Sequence, residues 1–158
     1  YYSDLLIAGA NQSAEEAVVD TALRSNYLLA ISLGLVTGER ARRCVEAARR
    51  YLVVPGALRS LAPLPVSPPL PIHGPGGQLL NHPNEPYWGR YEGDEDTRRK
   101  PAYHNGTAWT WLLPTFCEAW ALTHGAQATA RAWLGSVAPL LTITAGAVKL
   151  PNPHLTAK

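Results

Sequence analysis

The side chains with the greatest capacity for chemistry in this sequence are concentrated in residues 90–111. This segment combines carboxylates, guanidinium groups, tyrosines, a histidine and two tryptophans, whereas the predicted helices on either side are rich in Ala, Leu and Val. A pyranose offers an apolar face of C–H groups to an aromatic ring and a rim of hydroxyls to polar side chains. The mixture is therefore typical of a sugar-binding pocket. A buried polar network beneath a loop is the alternative interpretation.

Glycoside hydrolysis requires two carboxyl groups across the scissile bond, one to protonate the leaving oxygen and one to activate water or attack the sugar. The aromatic segment contains one cluster of carboxylates: Glu92, Asp94, Glu95 and Asp96. Because these four crowd onto one loop, no catalytic residue is identified, and Glu92 and Asp94 are kept only as candidates. Their alternative roles are to bind sugar hydroxyls, to fix Arg98 and Arg99, or to form an ordinary loop salt bridge.

Four short elements of the sequence carry a family resemblance. Residues 103–111, Tyr-His-Asn-Gly-Thr-Ala-Trp-Thr-Trp, resemble the Tyr-His-x-Gly-(Thr/Pro)-x-Trp-x-Trp signature of the C-terminal amylo-α-1,6-glucosidase domain of bacterial-type glycogen debranching enzymes. Residues 90–94 resemble the segment that precedes this signature. Residues 23–27 resemble the family's Arg-Pro-Asn element, with Ser25 in place of the proline, and residues 58–63 resemble its Leu-(Arg/Lys)-(Thr/Ser)-Leu-(Ala/Asp)-Pro element. The four elements occur in the same order as in the family. The resemblance is therefore partial, but it extends over much of the chain.

The resemblance implies hydrolysis of α-1,6-glucosidic branch points in glycogen or a related α-glucan. It also implies an all-α fold, the last part of an (α/α)6 toroid of the six-hairpin glycosidase type, with the rest of the toroid as partner. The substrate-binding residues that it implies are Arg24, Asn26, Tyr91, Asp94, Tyr103, His104, Gly106, Trp109 and Trp111.

Several of these residues have an ordinary structural alternative. Arg24 and Asn26 are equally suited to helix capping and loop anchoring. The alternative for His104 is a structural histidine whose hydrogen bonds are satisfied within the fold. Trp109 and Trp111 point in opposite directions on a strand, so one is expected to stack on sugar while the other packs in the core.

The catalytic pair is expected to be missing. In the family that this sequence resembles, the general acid precedes the matching region, and the base is a glutamate near the C-terminus. No Glu or Asp follows Pro139. The chain is therefore predicted to be the substrate-contact part of a glycosidase. On its own it is expected to be inactive. The alternative is a non-catalytic or degenerate α-glucan-binding helical module.

Composition restricts the possible partners. The 158 residues carry a net charge of +2, too close to neutral to favour nucleic acid or an anionic membrane. No apolar run long enough to span a bilayer and no signal peptide is visible, which predicts a soluble, cytoplasmic protein. The chain opens at Tyr1 without Met, which predicts a fragment or a processed chain. Cys44 and Cys117 lack metal-type spacing and are predicted to be reduced buried thiols, with a disulfide as the alternative. No metal or cofactor is expected.

The first third of the sequence predicts one strand and three helices. Residues 1–12, with the apolar run at 5–7, predict a short strand or an extended entry into the fold. Ser13 followed by Glu16 is a capping-box pattern, which predicts a helix over residues 14–20. Residues 25–35 are apolar at helical spacing and predict a buried helix. Another helix begins after Thr37 as N-cap, with a buried face formed by Ala41, Cys44, Val45, Ala48 and Leu52.

The remainder is predicted to complete a single partial domain over residues 1–158. Residues 55–106 hold most of the 14 prolines and predict a long irregular loop on the active-site side. Within it, residues 63–75 are expected to run as extended chain outside the core. A helix then ends at His124-Gly125, with Pro114 either kinking it or marking its first turn. A last helix is predicted at residues 126–138, followed by a divergent tail at 139–158.

Overall fold

A computed structural model describes residues 1–125 and 127–138 of the chain. These residues are helix-rich with two small sheets, a mostly helical fold. They form two compact units, one built from Tyr1–Tyr27 and Arg59–Thr107, the other from Leu28–Leu58 and the chain from Ala108 onward. No helix among the described residues is long and apolar enough to cross a bilayer. The toroid and its remaining helices stay a prediction.

The first unit contains one strand pair, a π-helical turn and a short helix. Its elements are β1 (Leu6–Ile7), β2 (Val18–Val19), the π-helical turn (Glu95–Arg99) and α3 (Lys100–Tyr103). The second unit is mainly helical, with α1 (Leu28–Ser32), α2 (Gly38–Tyr51), β3 (Val53–Val54), β4 (Ala57–Arg59, whose last residue belongs to the first unit), β5 (Ala108–Trp109), α4 (Leu113–His124) and α5 (Gln127–Gly135).

The predicted strand at residues 5–7 is confirmed, but the predicted helix at 14–20 is wrong. Val18 and Val19 instead pair antiparallel with β1. The capping-box pattern gives only isolated turns, with the Glu16 N–H donating to the Ser13 carbonyl at 3.2 Å. The Gln12 side chain closes the hairpin loop by accepting from Gly9 N–H at 2.8 Å and donating to the Glu16 carbonyl at 2.7 Å. β-Branched valines favour such pairing, and a partner strand was available.

The core of the first unit includes a residue from the proline-rich stretch. Val66 is buried with Ala22 and Leu61, and Leu70 packs against them. The expectation that residues 63–75 stay outside the core is therefore wrong at Val66. Backbone contacts explain the difference, because the Val66 N–H donates to the Asn84 carbonyl at 2.9 Å and draws this part of the chain inward.

α1 is shorter and less buried than the sequence predicts. Only Leu28 and Ile31 are buried, while Leu33 and Leu35 are 71% and 77% exposed. Gly34 adopts a φ of +73°, a left-handed conformation that ends helices, and the Leu35 N–H turns back to the Ala30 carbonyl. The apolar residues after this break consequently leave the core.

α2, α4 and α5 follow their sequence patterns closely. The predicted apolar face of α2 is buried, although the Thr37 side chain makes no capping hydrogen bond. Pro114 lies in the first turn of α4, and Gly125 with φ +62° ends that helix, so the first-turn alternative is confirmed. α5 occupies most of the predicted last helix. Ala126, the predicted start of that helix, and the predicted tail at 139–158 lie outside the described residues.

Candidate functional site

Asp94 starts the π-helical turn as its N-cap. Its Oδ1 atom accepts hydrogen bonds from the N–H groups of Asp96 and Thr97 at 3.0 and 2.9 Å, and from the Thr97 hydroxyl at 2.9 Å. The bonds from Thr97 and Asp96 lower the pKa of the Asp94 carboxyl, because they favour its charged form. An ionised carboxylate committed to backbone capping is suited to holding a turn and unsuited to donating a proton.

The other carboxylates of the cluster pair locally with cations. Glu92 lies 3.4 Å from the Arg90 guanidinium, and both side chains are exposed. Glu95 pairs with Arg99, and Asp96 pairs with Lys100, each four residues apart along the turn. Arg98 and Arg99 are thus not held by the Glu92 or Asp94 side chains in the contacts that the structure shows, although the Asp94 carbonyl accepts from both of their N–H groups.

Three rings from the sequence signature and the segment before it lie together, and we call them the aromatic row: Tyr91, Tyr103 and His104. The Tyr91 and Tyr103 rings meet edge-on with centroids 6.1 Å apart, and Tyr103 meets His104 edge-on at 4.6 Å. α3 positions the second and third rings, because Tyr103 is its last residue and His104 its C-cap. Burial and the Glu95 carboxylate raise the pKa of the Tyr91 hydroxyl, which stays a neutral hydrogen-bond donor.

Gly106 shapes the loop that follows α3. Its φ is +144°, and a Cβ atom there would lie 2.9 Å from the Trp88 backbone and 2.8 Å from the Tyr87 ring. The Gly106 N–H donates to Ser60 Oγ at 2.9 Å, and the Trp88 N–H donates to the Asn105 carbonyl at 2.6 Å. Only glycine satisfies both the dihedral angle and this close approach, so its contribution to the site is geometric.

Arg24 is engaged in an ion pair below the surface. Its Nη1 atom lies 2.6 Å from Oδ2 of Asp20, which is completely buried, and Asp20 Oδ1 accepts the Ala22 N–H at 2.8 Å. A buried carboxylate needs such partners to offset its desolvation. The loop-anchoring alternative therefore has direct support for Arg24, whereas Asn26 is exposed.

The two signature tryptophans belong to the second unit, whose boundary falls just before Ala108. Trp109 is half-buried in β5, while Trp111 lies in the turn before α4 and is 61% exposed. Trp111 is thus the more exposed of the two rings, and which of them stacks on sugar stays a prediction.

The structure also forms a cleft in the first unit, lined by both polar and apolar residues, that the sequence did not reveal. It has a volume of about 360 Å³ and is lined by residues 72–75 together with Asp96, Lys100, Pro101, His104 and Asn105. The sequence around His73 predicts no role for it, because it stands alone in a proline-rich stretch. Only the path of the folded chain brings it to the same cleft as His104.

No group of three or more potential metal ligands occurs among residues 1–125 and 127–138. Cys44 and Cys117 are buried free thiols, and burial raises the pKa of the Cys117 thiol to about 11, which keeps it protonated and unreactive.

Aromatic rings beside ion-paired and hydroxyl-binding side chains are typical of carbohydrate-active proteins. A family model described as amylo-alpha-1,6-glucosidase matches residues 72–150, half of the chain, including the aromatic row and both signature tryptophans. The chain belongs to the amylo-α-1,6-glucosidase family. This is a family of glycosidase-type enzymes related to glycogen debranching, and it implies an α-glucan substrate. Comparisons with curated proteins and with solved structures gave no match.

Proposed function

We propose that this chain is the substrate-contact part of an α-1,6-glucosidase domain that hydrolyses branch points in glycogen or a related α-glucan. The observation that carries the proposal is the aromatic row, which lies inside the segment matched by the family and presents three rings with hydrogen-bonding groups. The rest of a toroidal domain would be its partner, and a cytoplasmic location fits a glycogen-type substrate.

Sugar binding would use ring faces and polar edges together. In the first unit, the Tyr103 ring would stack on the C–H face of a glucosyl unit, and the Tyr91 hydroxyl and His104 imidazole would bind hydroxyls. In the second unit, the exposed Trp111 ring would provide a stacking surface of its own. Gly106 supports these contacts indirectly by fixing the loop, and Asp94 supports them by fixing the turn that precedes α3. Arg24 and Asn26 would contribute at a distance from this row, Arg24 by anchoring its loop.

The chemical step would need a carboxyl group that donates a proton and another that activates water or attacks the sugar, and the cluster of Glu92, Asp94, Glu95 and Asp96 does not offer such a pair. A general acid at neutral pH requires a raised pKa, whereas hydrogen bonds lower that of Asp94. Glu92 is exposed and pairs with the Arg90 guanidinium at 3.4 Å, so it stands in solvent and not in an enclosed cleft. We infer that neither residue is catalytic and that both catalytic carboxylates belong to other parts of such a domain.

The second candidate function is a non-catalytic α-glucan-binding module. The observation that favours it is the local engagement of every carboxylate in the cluster, as an N-cap or in an ion pair. Both candidates predict binding, and they differ only in turnover once the chain is joined to the rest of an enzyme domain.

The binding experiment uses isothermal titration of the 158-residue chain with a branched limit dextrin. Tyr103→Ala and Trp111→Ala should each weaken binding by about 1–3 kcal/mol, the scale of a lost aromatic platform. Tyr2→Ala, which removes an exposed tyrosine outside the aromatic row, is the matched control and should leave the Kd unchanged. Unchanged affinity in both test variants would remove the aromatic rings from sugar binding.

A glucose-release assay separates binding from catalysis. The purified chain should release no glucose from the same dextrin, because positioned acid–base groups contribute roughly 10²–10⁴-fold each and are missing. Turnover that disappears in Glu92→Gln or Asp94→Asn would show that the catalytic pair lies in this cluster.

A further inference from the structure

One wall of the cleft lined by His73 and His104 is an ordered hairpin within the proline-rich stretch. We call residues 70–82 the His73 hairpin. His73 and Leu79 form an antiparallel bridge, and Gly77 adopts a φ of +77° in the turn between them. Three backbone hydrogen bonds close the hairpin, from the N–H groups of Gly74, Gly77 and Leu80 to the carbonyls of Gln78, Gly74 and Ile72, at 2.9, 2.9 and 2.8 Å.

The Asn81 side chain fixes the base of the hairpin. Its Oδ1 atom accepts the Ile72 N–H at 2.8 Å, while its Nδ2 atom donates to the carbonyls of Leu70 and His82 at 2.9 and 3.3 Å. Leu70 in turn packs against the buried cluster of the first unit. His73 therefore extends from a backbone that is hydrogen-bonded on both sides and anchored to a core, and its position is determined before any ligand binds.

The second wall consists of the π-helical turn and α3. Asp96 and Lys100 on this wall pair with each other, so their charges largely cancel. Asn105 donates to the Pro101 carbonyl at 2.7 Å, and His104 extends the wall toward the aromatic row through its 4.6 Å contact with Tyr103. Both His73 and His104 are exposed, so both imidazoles are accessible to a solute that enters the cleft.

We propose that this cleft is a subsite for one neutral glucosyl unit of the α-glucan, with His73 and His104 binding its hydroxyls from the two walls. The inference rests on the proposed function and adds to it a binding residue, His73, and a binding place. A neutral imidazole offers one hydrogen-bond donor and one acceptor, which is what a sugar hydroxyl requires. The neutralised Asp96–Lys100 pair favours an uncharged polyol over a phosphate or a cation, and the cleft volume restricts the ligand to a small number of sugar rings.

The experiment follows the histidine ring signals by NMR while isomaltose is added to the 158-residue chain, and measures the Kd of each variant by calorimetry. The signals of His73 and His104 should shift, assigned by their loss in His73→Ala and His104→Ala. His73→Ala should weaken isomaltose binding about 2- to 10-fold, the effect of one net hydrogen bond. His73→Gln, which keeps a donor and an acceptor, should recover part of that loss.

His82→Ala is the matched control, because His82 is an exposed histidine of the same hairpin that does not line the cleft. Its Kd should equal that of the unaltered chain. If His104→Ala weakens binding but His73→Ala does not, the subsite is overturned while the proposed function stands. Equal losses in the His73 and His82 variants would also overturn it. If neither isomaltose nor branched dextrin binds the unaltered chain, the proposed function fails together with the inference. If inorganic phosphate binds the cleft as tightly as isomaltose does, the cleft is not a site for a neutral sugar and the inference is overturned.

Discussion

Two residues of the candidate site, Gly106 and Asp94, act on backbone geometry. Gly106 permits a dihedral angle and a close approach to Trp88 that a side chain would prevent. Asp94 gathers three hydrogen bonds on one carboxylate oxygen and thereby starts the turn that leads into α3. A sequence signature and the segment before it can therefore mark residues that fix the backbone, independently of any contact with a ligand.

Gly106→Ala should destabilise the first unit by roughly 1–3 kcal/mol, because the new Cβ would meet backbone atoms at 2.9 Å in a strained conformation. Gly77→Ala is the control, since Gly77 also has a positive φ but nothing lies within 4 Å of its Cβ position. Urea unfolding should show a smaller loss for the control. Equal losses would mean that the dihedral angle alone, and not the contact with Trp88, requires glycine at 106.

Asp94 should confer pH-dependent order on the π-helical turn. Its pKa is lowered in the folded chain, so its contribution is present above the unfolded pKa of about 3.9 and is lost as the pH falls through the lower folded value. Amide hydrogen exchange at Asp96 and Thr97 should therefore be faster in Asp94→Ala than in the unaltered chain at neutral pH, and the difference should vanish in strong acid. Glu92→Ala should change neither rate, and a pH-independent difference would exclude the capping role.

Among the elements, α4 carries the packing of the second unit. Phe116 is fully buried, and the centroid of its ring lies 4.8 Å from that of Trp133 on α5. The Trp120 ring stacks on the Trp133 ring with centroids 5.7 Å apart and on the His124 ring with centroids 4.0 Å apart. His124 reaches Glu46 on α2 at 3.2 Å, and hydrogen bonding from Arg49, with His124, lowers the pKa of the Glu46 carboxyl. Helices α2, α4 and α5 are thus joined through one row of rings.

Phe116→Ala should destabilise the second unit by about 3–5 kcal/mol, the cost of a large cavity in a packed core. Trp111→Ala removes a larger ring from the solvent-exposed turn before α4 and should change stability by less than about 0.5 kcal/mol. Chemical unfolding followed by circular dichroism compares the two. A large loss in Trp111→Ala would show that this ring supports the fold, and its effect on sugar binding would then need another explanation.

At the scale of the whole molecule, apolar side chains remain on the surface of each unit. The second unit exposes Leu33, Leu35 and Leu122, and the first exposes Leu6, Ile7, Val18 and Val19 on its strand pair. Exposed apolar side chains that adjoin one another are typical of surfaces that contact other protein. Such exposure fits a chain that completes its packing against further helices of a domain.

The 158-residue chain should therefore bind hydrophobic dyes and associate as its concentration rises. Replacing Leu33 and Leu35 by Ser should reduce both effects, whereas Leu79→Ser, at an exposed position on the His73 hairpin, is the control. Sedimentation velocity measures the association. A monodisperse monomer with a sharp cooperative melt would contradict the expectation that the chain needs further neighbours.

Features whose causes are close together in the sequence were predictable. The apolar face of α2, the first-turn position of Pro114 and the end of α4 at Gly125 depend on helical periodicity and on conformational limits of single residues. Tyr91, Tyr103 and His104 could be selected from the signature segment and the segment before it, whereas the contacts between their rings came only from the structure and their binding role stays a prediction. Local chemistry was sufficient in these cases.

Other features depend on partners that are distant along the chain. Residues 14–20 became a turn and a strand because β1 offered a pairing edge, and Val66 became buried because Asn84 bonds its backbone. His73 reached the cleft through a hairpin whose closing hydrogen bonds no short pattern encodes. Hydrogen-bond donors and acceptors of the backbone are the same at every residue, so a sequence does not specify which of them will meet. Their pairing is settled only when the whole chain packs.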